Sequence, residues 1–277
     1  MPENTKPQLS LGLTARWTAA ARAQESTRPD ALFHDPWAEA LAGPEGAEWL
    51  QSRGGSVTPM VIRTRYFDDF MQRVVREEGI RQVVIVAAGL DTRAYRLEWP
   101  LGTSIYELDQ PVVLHYKQQA LHTAGAKPAH QRKAIGVDLS KPWQAPLQTM
   151  GFYSERPTLW LLEGLLFYLP DEAITHLLTD INKLSAPGSW LGFDCVNHAT
   201  LTSPITHAWI EMQAAQGAPW LGGLDDPEGF LAGLGWTASM TQPGAPDAHY
   251  GRWTLPVIPV KMPDMPHNWY VTAKKTG

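Results

Sequence analysis

From residue 82 onward the chain keeps one rhythm. Short runs rich in apolar and β-branched residues, at 83–86, 104–108, 134–137, 158–162 and 190–194, alternate with helical stretches such as 111–124 and 171–184. VVIV and TLWLL are apolar almost throughout, as strands covered on both faces must be. Strands of that kind, joined through helices, build a parallel sheet with helices on either side. The expected fold class is therefore α/β, doubly wound and mostly parallel.

The flanking segments read differently. Residues 1–80 are expected to form a helical N-terminal extension. Within it 13–25 is alanine-rich, Asp35-Pro36 has the character of a helix start, and Thr58-Pro59 caps a longer helix with Val61, Ile62, Tyr66, Phe67 and Phe70 at helical spacing. Residues 81–196 are the α/β core. Residues 197–234, with a helix expected over 203–216 and then QGAPWLGGLDDPEGF, read as a helical lid insertion. Residues 235–277 carry strand-like pieces at 236–241 and 269–272 that would complete the sheet. One compact domain is expected, with both helical additions folded over the carboxyl ends of the strands.

Composition narrows the function classes. A net charge of −5 without a sustained basic run argues against nucleic acid as the main partner. The single cysteine excludes an intrachain disulfide and a cysteine-based zinc site. His115, His122 and His130 are scattered on or after one helix, so no metal site is expected. The first residues lack a basic start followed by an apolar signal core, and no apolar run approaches the roughly 18–20 residues of a membrane span. A soluble cytoplasmic protein without membrane contact is the expectation.

Ligands of open α/β sheets bind beyond the carboxyl ends of the strands. The first strand ends in Ala87-Ala88-Gly89-Leu90-Asp91, the second in Glu107-Leu108-Asp109, the third in Asp138-Leu139 and the fourth in Glu163-Gly164. One such carboxylate would ordinarily be a solvated strand end, but three strands in succession direct acids at one crevice. Asp109 lies 20 residues beyond Gly89, the spacing at which a carboxylate meets a ribose hydroxyl. A pyrophosphate would want more glycines in the first turn, and several carboxylates would repel it. The pattern suits a cofactor with a ribose, positive charge and no phosphate, as in S-adenosyl-L-methionine. A nicotinamide oxidoreductase would want G-x-G-x-x-G, which is missing here.

The stretches VVIVAAGLDTRAYRL, YELDQPVVLHYK, GVDL and EGLLFYL resemble the leucine carboxyl methyltransferase family of class I methyltransferases. The upstream RAQESTRPDALFHDPWA and VIRTRYFDDF, and LSAPGSWLGFD downstream, are similar to its bacterial small-molecule O-methyltransferase branch. The resemblance implies a Rossmann-like methyltransferase sheet and S-adenosyl-L-methionine as cofactor. It implies that Arg63 pairs with the methionine carboxylate, that Ala87 and Gly89 form the cofactor turn, and that Asp109, with Glu107, binds the ribose. Asp138 and Leu139 are implied at the adenine, Glu163 near the methionine moiety and Tyr168 near the acceptor. The family usually has glycine at Ala87, and alanine fits there if φ is negative. Asp91 and Arg93 are expected to brace the turn, and Arg22 to reach toward the cofactor.

The implied activity is O-methylation of a carboxylate or hydroxyl of a small molecule, in secondary metabolism. A carboxylate needs no general base, whereas a hydroxyl does, and no base is identified. Two alternatives remain: methyl esterification of a protein C-terminal carboxylate, and a non-catalytic cofactor-binding protein on the same fold.

Overall fold

The computed structural model describes residues 6–53, 56–128, 131–262 and 264–277, so His130 lies outside the described residues. Three helices come first: α1 (Lys6–Ser26), α2 (Ala38–Arg53), which bends where Gly43 takes a φ of 60° ahead of Pro44, and α3 (Thr58–Glu77). The core follows as β1 (Gln82–Val86), α4 (Arg93–Arg96), β2 (Ser104–Asp109), α5 (Pro111–Thr123) and β3 (Gln131–Gly136). It continues through α6 (Gln144–Thr149), β4 (Thr158–Leu162), α7 (Asp171–Lys183) and β5 (Trp190–Val196). The last elements are α8 (His198–Thr202), α9 (His207–Ala215), α10 (Pro227–Ala232), β6 (Trp236–Thr241) and β7 (Asn268–Lys275).

All seven strands join one sheet in the order β3-β2-β1-β4-β5-β7-β6. The first five are parallel, and β7 runs antiparallel to both β5 and β6. The order reverses between β1 and β4, where Gln82 pairs with Ser104 on one side and with Thr158 on the other. Crossovers leave toward opposite faces at such a switch point, and a crevice opens above the strand ends.

Each face of the sheet has its own core. On one, Ile62, Phe67, Phe70, Met71 and Val74 of α3 pack on Val83, Ile85, Ile105, Leu159 and Leu161. On the other, Ile174, Leu177, Leu178 and Ile181 of α7 pack with Trp143, Trp160, Leu162 and Phe193. A third cluster, built on Ala19, Leu41, Leu90 and Leu121, fastens α1 and α2 to the core. Small alanines on α1 let these two helices approach closely.

Four local expectations need correction. β3 begins three residues before 134, because its opening Gln131-Arg132-Lys133 lies on a sheet edge, where Gln131 stays exposed and Arg132 turns in to Glu107. Thr58 is the first residue of α3 rather than its cap: Val57 occupies the cap position, and the Ser56 hydroxyl accepts from the Thr58 N–H at 3.1 Å. The helix expected over 203–216 is shorter, α9 beginning only at His207, since Ser203 is extended (ψ 138°) ahead of Pro204 and ends the separate α8. β7 starts one residue earlier and runs three residues longer than the apolar run 269–272, reaching Lys275.

The most unusual packing lies under β2. Glu107 is fully buried, and one carboxylate oxygen receives Lys117 Nζ and Arg132 Nη2, each at 2.7 Å. Removing the shared acid strands two buried cations, whereas replacing the whole triad with apolar residues does not. Glu107→Leu is expected to cost about 3 kcal/mol in urea unfolding, while Glu107→Leu with Lys117→Met and Arg132→Met recovers most of that loss. A triple variant no more stable than the single one would contradict this account.

Candidate active site

The carboxyl ends of β1, β2, β4 and β5 open into a cavity of about 790 Å³. Thr14, Trp17 and Arg22 of α1, with Met60 and Arg63 of α3, form one wall; Thr206, Trp209 and Trp220 stand on another. The site therefore depends on segments that precede and follow the parallel core.

The floor is the turn after β1. Ala87 and Gly89 both adopt left-handed backbone, with φ of 51° and 45°. This conformation swings the Gly89 N–H onto Asp109 Oδ2 at 2.6 Å, while the Gln110 N–H meets Asp109 Oδ1 at 2.6 Å. The condition under which alanine would fit here without strain, a negative φ, is therefore not met. The chain must reverse its curl directly after β1, and a left-handed L-residue costs roughly 1–2 kcal/mol. Burial pushes the Asp109 carboxyl above its ordinary pKa, although the two N–H groups act in the opposite direction.

Behind the turn lies a network of arginines and carboxylates. Arg63 donates from Nε to Glu163 Oε1 at 3.0 Å and from Nη1 to Asp194 Oδ2 at 2.8 Å. Arg93, only 2% exposed, pairs with Glu163 at 2.7 Å, with Asp68 at 2.7 Å, and with Asp91. Arg96 grips Asp68 with both Nη atoms, at 2.6 and 2.7 Å. Asp35 accepts from Arg22 Nε at 2.8 Å and the Thr92 hydroxyl at 2.6 Å, so it does far more than start α2. Arg22 also donates to the Leu90 carbonyl at 2.6 Å.

The charges respond to this setting. Burial would raise Glu163, but Arg93 and Arg63 overcome it and hold its carboxyl below the usual range. Asp91 is likewise opposed by burial, yet Arg93 brings it down to about 2. Burial raises Asp194 despite Arg63 and the Gly164 N–H, which donates to it at 2.6 Å. Gly164 has a φ of 70°, and a Cβ there would stand 3.1 Å from Arg63 Nη2. A side chain at 164 would crowd that guanidinium edge.

Of the residues expected at a site, Arg63, Ala87, Gly89, Asp109, Asp138, Leu139, Glu163 and Tyr168 all line this cavity. Glu107 does not. It lies two residues down β2 from Asp109 on the same face, where Lys117 from α5 covers it. Asp138 sits at the rim, its carboxylate accepting from the Ser140 N–H and hydroxyl at 3.0 and 2.6 Å. Tyr168 belongs to a single helical turn, Leu166–Tyr168, with its ring 4.7 Å from that of Phe167. His198 stands between Asp171 and Asp225, 2.9 Å from each, on the exposed side of α8. Asp194 was overlooked by sequence reasoning. Its signal was available: β5 also carries an acid near its carboxyl end, like β2 and β4.

Seven strands in this order, with an acid-edged cavity at the switch point, define a Rossmann-like methyltransferase fold. Residues 15–182 match the family model for leucine carboxyl methyltransferase. A Mycolicibacterium smegmatis protein described as an S-adenosyl-L-methionine-dependent methyltransferase is 41% identical over 268 residues, covering 88% of this chain and 87% of its own. A similarly described protein of Mycolicibacterium gilvum is 42% identical over 225 residues, 76% and 75% of the two chains. The solved structure of a Thermobifida fusca protein described as a methyltransferase superposes with a TM-score of 0.64 at 16% identity, covering 95% of this chain and 94% of that one; it supports the fold. The chain belongs to the leucine carboxyl methyltransferase family, whose cofactor is S-adenosyl-L-methionine.

The left-handed alanine provides a direct check on the turn. Ala87→Gly relieves the Cβ clash at some cost in chain entropy, and is expected to raise stability by about 0.5–1 kcal/mol. A fall in thermal midpoint would show that Ala87 is not left-handed.

Proposed function

We propose that this protein methylates a carboxylate or hydroxyl oxygen of a small molecule, with a place in secondary metabolism. The observation that carries the reading is the Asp109 carboxylate, buried at the cavity and fixed by two backbone N–H groups. Held this way it faces a ribose ready to accept from its hydroxyls, with no side-chain motion required. The network behind it contains four arginines (22, 63, 93 and 96) against five carboxylates (35, 68, 91, 163 and 194). The unmatched negative charge favours a ligand carrying net positive charge and disfavours a phosphate.

The residues present fit the cofactor. Arg63 would hold the methionine carboxylate by Nη2, the nitrogen its pairs with Glu163 and Asp194 leave over. Glu163 would face the ammonium, and Asp138 with the Leu139 backbone the adenine. The cofactor, when bound, supplies an electrophilic methyl group on a sulfonium. Tyr168, edge-on to Phe167, which in turn packs against Trp220, would position the acceptor oxygen. The helical segments at 1–80 and 197–234 would close the site from water, a requirement for in-line displacement at a near-attack distance. Residues 81–196 would hold the cofactor and 235–277 complete the sheet.

Calorimetric titration with S-adenosyl-L-methionine tests this. Asp109→Asn is expected to weaken binding roughly tenfold to a hundredfold, the worth of hydrogen bonds to a charged group. No binding by the native protein, or unchanged binding after Asp109→Ala with Glu163→Ala, overturns the proposal. Cofactor affinity is also expected to fall as pH drops through a range above the ordinary aspartate pKa. Burial has raised the Asp109 carboxyl, so it takes up its proton earlier on acidification and loses half its acceptor capacity. A labelled-methyl assay over candidate acceptors followed by mild alkali distinguishes the products: esters lose the label and ethers keep it.

A further inference from the structure

A second cavity opens at the other end of the sheet. Gln82, Ser104 and Gln131, the first residues of β1, β2 and β3, line it together with Pro157, just ahead of β4. It measures about 490 Å³ and shares no residue with the larger cavity. Strands of five and six residues, roughly 17–20 Å of extended chain, stand between the two, so one small ligand cannot reach both.

Its floor is firmly built. The buried Gln82 donates from Nε2 to the Tyr153 carbonyl at 2.9 Å and accepts from the Tyr153 N–H at 3.0 Å, which bolts the loop 151–157 to β1. The Tyr106 hydroxyl donates to the Gly151 carbonyl at 2.6 Å. Gly151 has a φ of 83°, and a Cβ there would stand 3.3 Å from Lys133 Nζ, so glycine leaves that amine room. Arg156, from the same loop, lies over the Tyr153 ring at 4.2 Å, a contact that orients its guanidinium.

The charge on this lining is one-sided. Arg81, Lys133 and Arg156 stand on it from three separate stretches of chain; the two arginines are exposed and Lys133 is half-buried, so all three are open to solvent. Glu78 is the one acid on the lining, and Lys274 already holds its carboxylate at 2.8 Å. Every other arginine whose side chain is described has a carboxylate partner, whereas Arg81 and Arg156 have none among the described residues. Arg81 commits Nη1 to the Val75 and Ile80 carbonyls, at 3.1 and 2.9 Å, and keeps Nε and Nη2. Lys133 donates to the Met150 carbonyl at 2.8 Å and reaches the Tyr106 hydroxyl at 3.5 Å, with a third N–H left over. A hollow lined by one sign of charge concentrates the opposite ion, and guanidinium groups match the paired oxygens of phosphate and carboxylate.

We propose that this cavity is a second binding site, for a small polyanion whose charge is borne by clustered phosphate or carboxylate groups. Arg81, Lys133 and Arg156 donate to its oxygens, and Gln82 is a positioning residue that holds the loop carrying Arg156. The chain as a whole has a net charge of −5, so a polyanion bound here is drawn by this hollow and not by the overall field of the molecule. The site does not depend on the methyltransferase reading, since none of its residues lies at the carboxyl ends of the strands.

Calorimetric titration at low ionic strength with pyrophosphate and with citrate tests this, acetate serving as the singly charged control. One polyanion is expected per chain, bound at least tenfold (about 1.4 kcal/mol) more tightly than acetate, and the tighter of the two identifies the oxyanion. Arg156→Gln should weaken it about tenfold to a hundredfold, the worth of hydrogen bonds to a charged group. Arg81→Gln should act in the same direction, and carries the test if the Arg156 variant does not fold. Arg73→Gln, which removes an exposed arginine already paired with Glu77, should leave the affinity unchanged. No saturable binding of either polyanion, affinity no better than that of acetate, or unchanged affinity in both the Arg81 and Arg156 variants overturns the proposal. Saturating S-adenosylhomocysteine should leave polyanion binding as it was; competition would place the anion in the larger cavity and also overturns it. Titration of S-adenosylhomocysteine alone judges the methyltransferase reading, and the polyanion titration judges this site without it.

Discussion

One buried guanidinium organises this molecule. Arg93 lies almost out of reach of solvent and joins Asp68 on α3, Asp91 in the turn after β1 and Glu163 at the end of β4. A cation in that position is tolerable only if every carboxylate around it arrives in place, since the cost of stripping its water is large. The constraint acts on three elements at once. It sets how α3 seats on the sheet, which way the first turn faces, and where the loop after β4 begins. Arg63 extends the arrangement from Glu163 to Asp194 on β5. The acids of the site are thus oriented by the fold before any ligand enters.

That order divides the cavity into two regions of different character. The end formed by β1, β2 and β4 is polar, crowded with charge and fixed by backbone N–H groups. It lies within residues 15–182, the span of the family match. The other end is walled by Trp209, Trp220 and Trp253, which come after that span. Charge and geometry are rigid at the end we propose for the cofactor, and apolar surface dominates at the other.

Much of this could be read from the chain itself, and the gaps have physical reasons. β4 was legible to the residue and β1 to within one, Gln82, because strands buried on both faces are apolar almost throughout. β3 was only partly so, since an edge strand can open with Gln131-Arg132-Lys133. Asp109 and Glu163 were legible because strand order and spacing place them, without any knowledge of their partners. Glu107 looked equivalent to Asp109 in sequence. Only the packing of α5 shows that two residues nearer the middle of a strand means enclosure by Lys117 rather than access to the crevice. Asp35 and Asp68 were not legible at all as part of the site. Their roles depend on contacts across 57 residues to Thr92 and 25 to Arg93, which no local pattern encodes. The left-handed φ of Ala87 was hidden for a related reason: residue identity argued against it, and the demand of Gly89 for Asp109 prevailed.

The reversed direction of β7 has a consequence for how such a molecule can change. Its register with β5 is held by seven residue pairs, from Trp190–Lys274 to Val196–Asn268. The stretch from 242 to 267 hangs from that strand as a loop whose far end returns to the ligand edge. Length and composition can drift there without shifting a single rung of the ladder, because the strand is anchored from its other end. A parallel strand in the same place would have carried its loop to the opposite side of the sheet. The hairpin therefore gives the fold a place where ligand preference can be rewritten while the charged framework stays untouched.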